Sequence, residues 1–150
     1  MKLSLIIAWL LSFPLSGHAQ NVKDMKTYPT PETEIRNVIE NYYFKGIYEG
    51  NTELLKKAFY KGALLFGDVD GVPYFKTAEK YIEGVGNRVS PQKSGKDFKA
   101  IILSIEVINS IAVAKLQVRM YDFNYYNFIT FNHIDGKWFI VNKTLTNVPL

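Results

Sequence analysis

Few residues in this chain have the type and spacing to do chemistry. There is no cysteine, which excludes disulfides, thiolate nucleophiles and thiolate metal sites together. Of two histidines, His18 falls in an apolar leader, so His133 is the imidazole left to the folded chain. It stands beside Asp135-Gly136, a turn, where a solvated ring is the simpler reading. A Ser-His-Asp arrangement would need a nucleophile elbow, and no Gly-x-Ser-x-Gly occurs. Asp68-Val69-Asp70 brings two carboxylates together without the length or spacing of a calcium loop, and a solvated turn accounts for it. There is no Gly-rich phosphate fingerprint and no cluster of metal ligands. Neither a metal nor a cofactor is expected.

Amides and aromatic rings are the sharper candidates. Asn127 and Asn142 each sit among large apolar residues on one strand face. A buried amide needs hydrogen-bond partners. Backbone, the other amide, or a polar ligand could supply them. Tyr42 and Tyr43 lie on the inward stripe of a helix, and Trp138 lies on a strand. Core packing explains all three, and a place in a pocket is the alternative.

These residues need a scaffold, and periodicity supplies one. Thr33 opens a helix whose residues Ile35, Val38, Ile39, Tyr42, Tyr43, Gly46 and Ile47 recur at three- and four-residue steps. Gly50 ends it, and Asn51 caps a second helix running to about Tyr60. Ala63–Phe66 and Val72–Phe75 read as short strands around a Gly67–Gly71 loop. Thr77 caps a third helix with Ala78, Tyr81, Ile82 and Val85 inward. Arg88 to Asp97 reads as an exposed loop. Four strands follow, about Phe98–Ile108, Ile111–Tyr121, Asn124–Ile134 and Lys137–Leu145. The last two join at Asp135-Gly136, a strong hairpin signal. Alternation puts Asn127, Ile129, Phe131 and His133 on one face, and Trp138, Ile140, Asn142 and Thr144 on one face of the last strand. Helices followed by an antiparallel sheet make an α+β domain.

The chain has 150 residues, 10 Tyr, 10 Phe and 2 Trp, enough for one domain with an aromatic core. Lys2, the apolar run Leu3–Leu15 and Gly17-His18-Ala19 have the form of an export signal over residues 1–19, cleaved before Gln20. A lead at 20–32 and a domain at 33–150 follow, with a periplasmic or secreted location. Losing Lys2 lowers the net charge from +4 to +3. The basic residues are scattered, which argues against nucleic acid, and no membrane span is expected after cleavage.

Tyr43-Phe44-Lys45-Gly46, Glu49-Gly50-Asn51 and Phe59-Tyr60 resemble the aromatic-x-x-Gly, Gly-Asp and Phe-His opening of the "Putative lumazine-binding" family. Asn127-Phe128-Ile129-Thr130-Phe131, Asp135-Gly136-Lys137-Trp138 and Ile140-Val141-Asn142-Lys143 are similar to its closing strands. The likeness spans about Thr33 to Leu145. It implies the nuclear transport factor two-like, cystatin-like α+β cone, with N-terminal helices packed on a curved, mainly antiparallel sheet. That superfamily holds ketosteroid isomerases, polyketide cyclases and dehydratases beside non-catalytic binding and assembly domains.

Three departures bear on chemistry. Asn127 stands where the family usually has Asp; an amide donates a hydrogen bond but exchanges no proton near neutral pH. The position matching the isomerase base falls on Gly67. Asp68 is one residue away, which on a strand is the opposite face. Tyr60 replaces the family's His. By resemblance the face of Asn127 looks into the cone, with Trp138 and Asn142 pointing the same way and Tyr43 and Tyr60 approaching from the helical side.

The resulting reading is an exported, non-enzymatic domain that binds a small, partly hydrophobic ligand through Tyr43, Tyr60, Asn127, Trp138 and Asn142. Large side chains on both sheet faces point to a homodimer through the sheet. One alternative is a lyase or isomerase on a carbonyl-bearing molecule, with Asp68 moving the proton. Another is a dimeric assembly domain with no ligand.

Overall fold

A computed structural model describes residues 28–150. The export signal, its cleavage point and most of the 20–32 lead lie outside the described residues. Thr30, not Thr33, caps the first helix: its hydroxyl accepts a hydrogen bond from the Thr33 amide at 3.3 Å, with Pro31 opening the first turn. Helix α1 (Pro31–Asn37) passes through a π-helical segment (Val38–Phe44) into α2 (Lys45–Glu49). The wider π turns rotate the apolar stripe. Tyr43 and Phe44 are both buried, while Tyr42 moves to the flank. Gly50 stops the helix with φ 70°, the left-handed cap that glycine adopts without strain.

Asn51 caps α3 (Thr52–Ala58) through its side-chain oxygen, which accepts from the amides of Glu53 and Leu54. Strand β1 (Phe59–Val69) begins where the helix was expected to continue, and pairs with β2 (Val72–Thr77). The expected five-residue loop is a tight turn at Asp70-Gly71, because Gly67-Asp68-Val69 stays in the strand. Thr77 caps α4 (Ala78–Asn87), which buries Ala78, Tyr81, Ile82 and Val85. The expected loop after it contains a short helix, α5 (Pro91–Ser94), capped by the buried Ser90. Then come β3 (Phe98–Ile108), β4 (Ile111–Met120), β5 (Phe123–Ile134) and β6 (Lys137–Val148).

The six strands form one sheet in the order β2-β1-β6-β5-β4-β3. All neighbours are antiparallel except β1 and β6, which run parallel. The first helices and α4 cover one face. Ala112, Ala114, Leu116 and Val118 of β4 and Ile129 and Phe131 of β5 meet them in a single core.

Two irregularities shape this inner face. Between β5 and β6, Thr130 pairs with Asn142 but Phe131 pairs with Ile140, so Val141 is an extra residue. Between β1 and β6, Phe59 pairs with Ile140 and Leu64 with Asn142, so several β1 residues lie opposite the same point. Bulges of this kind turn the faces of a strand over. Trp138 and Ile140 face inward before the bulge, and Lys143 and Leu145 after it.

Candidate functional site

The bulge at Val141 places a lysine where alternation placed an amide. Lys143 is 5 % exposed. Its Nζ lies 4.8 Å from the centre of the Tyr81 ring and 5.4 Å from that of Tyr43. Rings favour a cation by their negative faces, but they replace only part of the lost hydration. Burial, helped by the nearby Arg88 guanidinium, brings the Lys143 amine down to about 7.

Arg88 approaches from the end of α4. The inner stripe of that helix, Tyr81 and Val85, continues to Arg88 at the next helical step. The guanidinium lies over the Tyr121 ring, 5.6 Å from its centre, and the Tyr121 hydroxyl donates to the Val89 carbonyl oxygen. This holds the cation in place. Nε and Nη2 of Arg88 are both buried and neither has a protein partner.

Asn127 joins them from β5. It is 2 % exposed, and its side-chain oxygen and nitrogen both lack a protein partner. It stands between Leu116 of β4 and Leu145 of β6 in the sheet register, with Lys143 diagonally across from it. The Tyr81 hydroxyl is a further buried polar group, and the Tyr43 hydroxyl adjoins it.

Four tyrosines complete the setting. Burial and the adjoining Tyr81 hydroxyl hold the Tyr43 phenol well above its usual range. Burial likewise raises Tyr81, Tyr74 and Tyr125, and in each case the Arg88 charge opposes it. One guanidinium thus acts on Lys143 and on all four phenols, which marks where the side chains converge. The phenols stay protonated at neutral pH. Among the described residues, the buried polar side chains are Ser90, Asn124, Asn127 and Lys143, with no carboxylate among them. The arrangement offers hydrogen bonds and positive charge to a guest.

The other expected site residues lie elsewhere. Trp138 is buried on the inner face, but it sits in register with His133, six residues along β5 from Asn127. At strand spacing that is roughly 20 Å. Its indole N–H donates to Glu34 at 3.1 Å and its ring packs on His133. Asn142 does not share the face of Trp138, because the bulge intervenes. Its amide donates to the Leu64 carbonyl oxygen at 3.1 Å. Tyr60 is on β1, not on a helix; it is exposed and packs edge-on against Phe139. Asp68 accepts a hydrogen bond from Thr146 at 3.1 Å on the outer face. Gly67, the position of the isomerase base, has no room for any side chain: a Cβ there would lie 1.7 Å from the Leu145 carbonyl oxygen. Tyr43 and Asn127 alone of the expected set meet in the buried cluster.

Arg88 and Lys143 were not among the expected residues. Each carried a signal. Arg88 extends the helical stripe of Tyr81 and Val85, and Lys143 interrupts an apolar alternation between Val141 and Leu145.

Two surface clefts are remote from this cluster. One, about 300 Å³, lies between the β3–β4 turn and β5, bordered by Ile108, Ile111 and Asn132. The other, about 490 Å³, lies between Thr33, Tyr42 and Trp138. Neither is lined by Arg88, Asn127 or Lys143.

Residues 30–146 match the model of a family described as "Putative lumazine-binding". No curated protein matches the chain. Among solved structures, a nuclear transport factor two-like protein of unknown function from Shewanella baltica is 23% identical, with TM-score 0.69, covering 82% of this chain and 100% of that one. Another from Methylobacillus flagellatus is 22% identical, with TM-score 0.71, covering 82% and 96%. A third, from Silicibacter pomeroyi, is 18% identical, with TM-score 0.68, covering 77% and 93%. At these identities the likeness is one of fold.

Proposed function

The chain belongs to the "Putative lumazine-binding" family and has the nuclear transport factor two-like cone, and from that premise we propose that it is a non-enzymatic, exported domain holding a small, partly hydrophobic ligand inside the cone. One observation carries this reading. Asn127 and Arg88 present buried polar atoms that no protein group satisfies, on an inner face built, apart from the buried Lys143, mainly from apolar side chains. Natural folds rarely leave several such atoms together, because each costs about 1–3 kcal/mol when unpaired. A bound guest with matching polar groups would remove that cost. The rings of Tyr43, Tyr74, Tyr81 and Tyr125 would enclose its apolar part, the usual character of a small-molecule site.

The lyase or isomerase reading has no such support. Its intended base, Asp68, lies on the outer face, and Gly67 is closed against a side chain. Native mass spectrometry of the purified full chain tests the binding proposal. A retained small molecule, lost from Asn127→Leu while the fold persists, is the expected result. A protein mass with no adduct, together with bound-state and free-state spectra that never differ across a metabolite extract, would reject it.

A further inference from the structure

We propose that the guest of the interior site is a small monocarboxylate with a ring-sized apolar body, its two oxygens received by the fork of Arg88 beside the Lys143 amine. This rests on the reading of the cluster as a ligand site. Nε and Nη2 lie on one edge of a guanidinium, and their N–H bonds run parallel. That edge matches the two oxygens of a carboxylate. In this protein both nitrogens of that edge are buried and unpartnered, while the face of the group rests on Tyr121. The fork is therefore held in position and turned inward.

Charge points the same way. Two basic side chains converge, and the ion pairs of the described residues all lie elsewhere: Glu32 and Glu40 with Arg36, Glu49 with Lys45, Glu53 with Lys56, Glu83 with Lys80, Asp122 with Lys96. None of the buried residues is acidic. The acidic group nearest the cluster, Asp70, acts on Tyr125 from the β1–β2 turn and is hydrogen-bonded to Asn147, so a buried counter-ion would come from an anionic guest. The phenol rings on either side favour a flat body, and Asn127, able to donate and accept, suits one further polar group on it.

Binding should also move a proton. The groups facing Lys143 are Tyr43 from the first helix, Tyr81 from α4 and Arg88 beyond it; Tyr74 from β2 and Tyr125 from β5 adjoin Arg88, and Asp70 of the β1–β2 turn acts on Tyr125. The phenols titrate far above neutrality, so the Lys143 amine is the group that changes charge near pH 7. A carboxylate beside it favours the ammonium form. Above about pH 7, binding should draw one proton from solution.

Titration calorimetry on the full chain, with benzoate, benzamide and inorganic phosphate as probes, tests this. Benzoate should bind about tenfold or more tightly than its neutral isostere benzamide, and more tightly than phosphate. Arg88→Lys, which keeps the charge and removes the fork, should weaken benzoate about tenfold and leave benzamide unchanged. Lys143→Met should abolish proton uptake, seen as loss of the dependence of heat on buffer ionisation. Equal affinity for benzamide and benzoate would overturn the carboxylate while leaving the pocket standing. Preference for phosphate, an unchanged Arg88→Lys variant, or no benzoate binding at millimolar concentration would overturn it too. The mass-spectrometric experiment judges the pocket itself separately.

Discussion

A lysine taken out of water with two phenol rings and no carboxylate beside it costs the fold stability. The cost has a definite pH dependence. In the unfolded chain Lys143 keeps its proton up to its usual value of 10.5, whereas in the fold it loses it at about 7. Between those limits the unfolded state binds the extra proton, so stability rises with pH across the window. Below about 7 the penalty is fully present. Lys143→Met, of similar volume, should therefore stabilise the protein by about 1–4 kcal/mol below neutrality. The gain should fade as pH approaches 10.5. Urea unfolding at a series of pH values measures it, and a gain independent of pH would refute the assignment. Asn127 belongs to the same account. Replacing it with Leu removes two unpaired buried atoms and restores similar volume. The ligand-free protein should melt no lower than wild type, while affinity for any retained ligand falls by roughly 1–3 kcal/mol.

One inserted residue decides which side chains form this cluster. Were Val141 paired in regular register rather than bulged, strict alternation would place Asn142 inside and Lys143 outside. The strands themselves were legible because alternation, Asp135-Gly136 and the caps at Asn51 and Thr77 are local signals, and the structure bears them out. A bulge is not local. It arises from pairing β6 with β1 on one side and β5 on the other, so nothing in the composition of Lys137–Val148 announces it. The π segment and the inward turn of Arg88 are of the same kind, set by packing across the core. Tyr43 and Asn127 were found because their faces do not depend on that bulge; Asn142 and Tyr60 were displaced from the cluster because theirs depend on the register and extent of β1 and β6, and Trp138 keeps the expected face but lies six residues away along the strand pair. Gly67 shows how tightly the register is held. Its φ of 147° and the Leu145 carbonyl leave no space for a methyl group. Gly67→Ala should cost roughly 3 kcal/mol or more. Gly71→Ala, also at positive φ but with nothing within 4 Å, should cost only about 1 kcal/mol. Equal losses in denaturant unfolding would mean that the β1–β6 contact adjusts freely.

At the scale of the molecule, export and association remain proposals with direct tests. Lys2, the Leu3–Leu15 run and Gly17-His18-Ala19 lead us to expect a mature chain beginning at Gln20. N-terminal sequencing after bacterial expression checks this, and a soluble product retaining Met1 would contradict it. Association follows from the outer face of the sheet. The helices cover the inner face alone, and the outer one carries Phe66, Phe75 and Phe128 at 42%, 62% and 55% exposure. Phe66 and Phe75 pack at 4.9 Å with tilted rings across β1 and β2, and Phe128 lies under the Lys115 ammonium on the neighbouring strands. Isolated exposed rings are ordinary, but a row of them across one sheet face is the kind of surface that a partner covers. A two-fold axis through the sheet would set each row against its copy and close the assembly at two. Phe128 stands at the middle of the sheet, so a charge there would meet its own image across such an axis. Phe128→Glu should leave circular dichroism unchanged and convert a dimeric mass to a monomeric one by light scattering. A wild-type protein already monomeric at micromolar concentration, or a Phe128→Glu variant that stays dimeric, would remove this face as the interface.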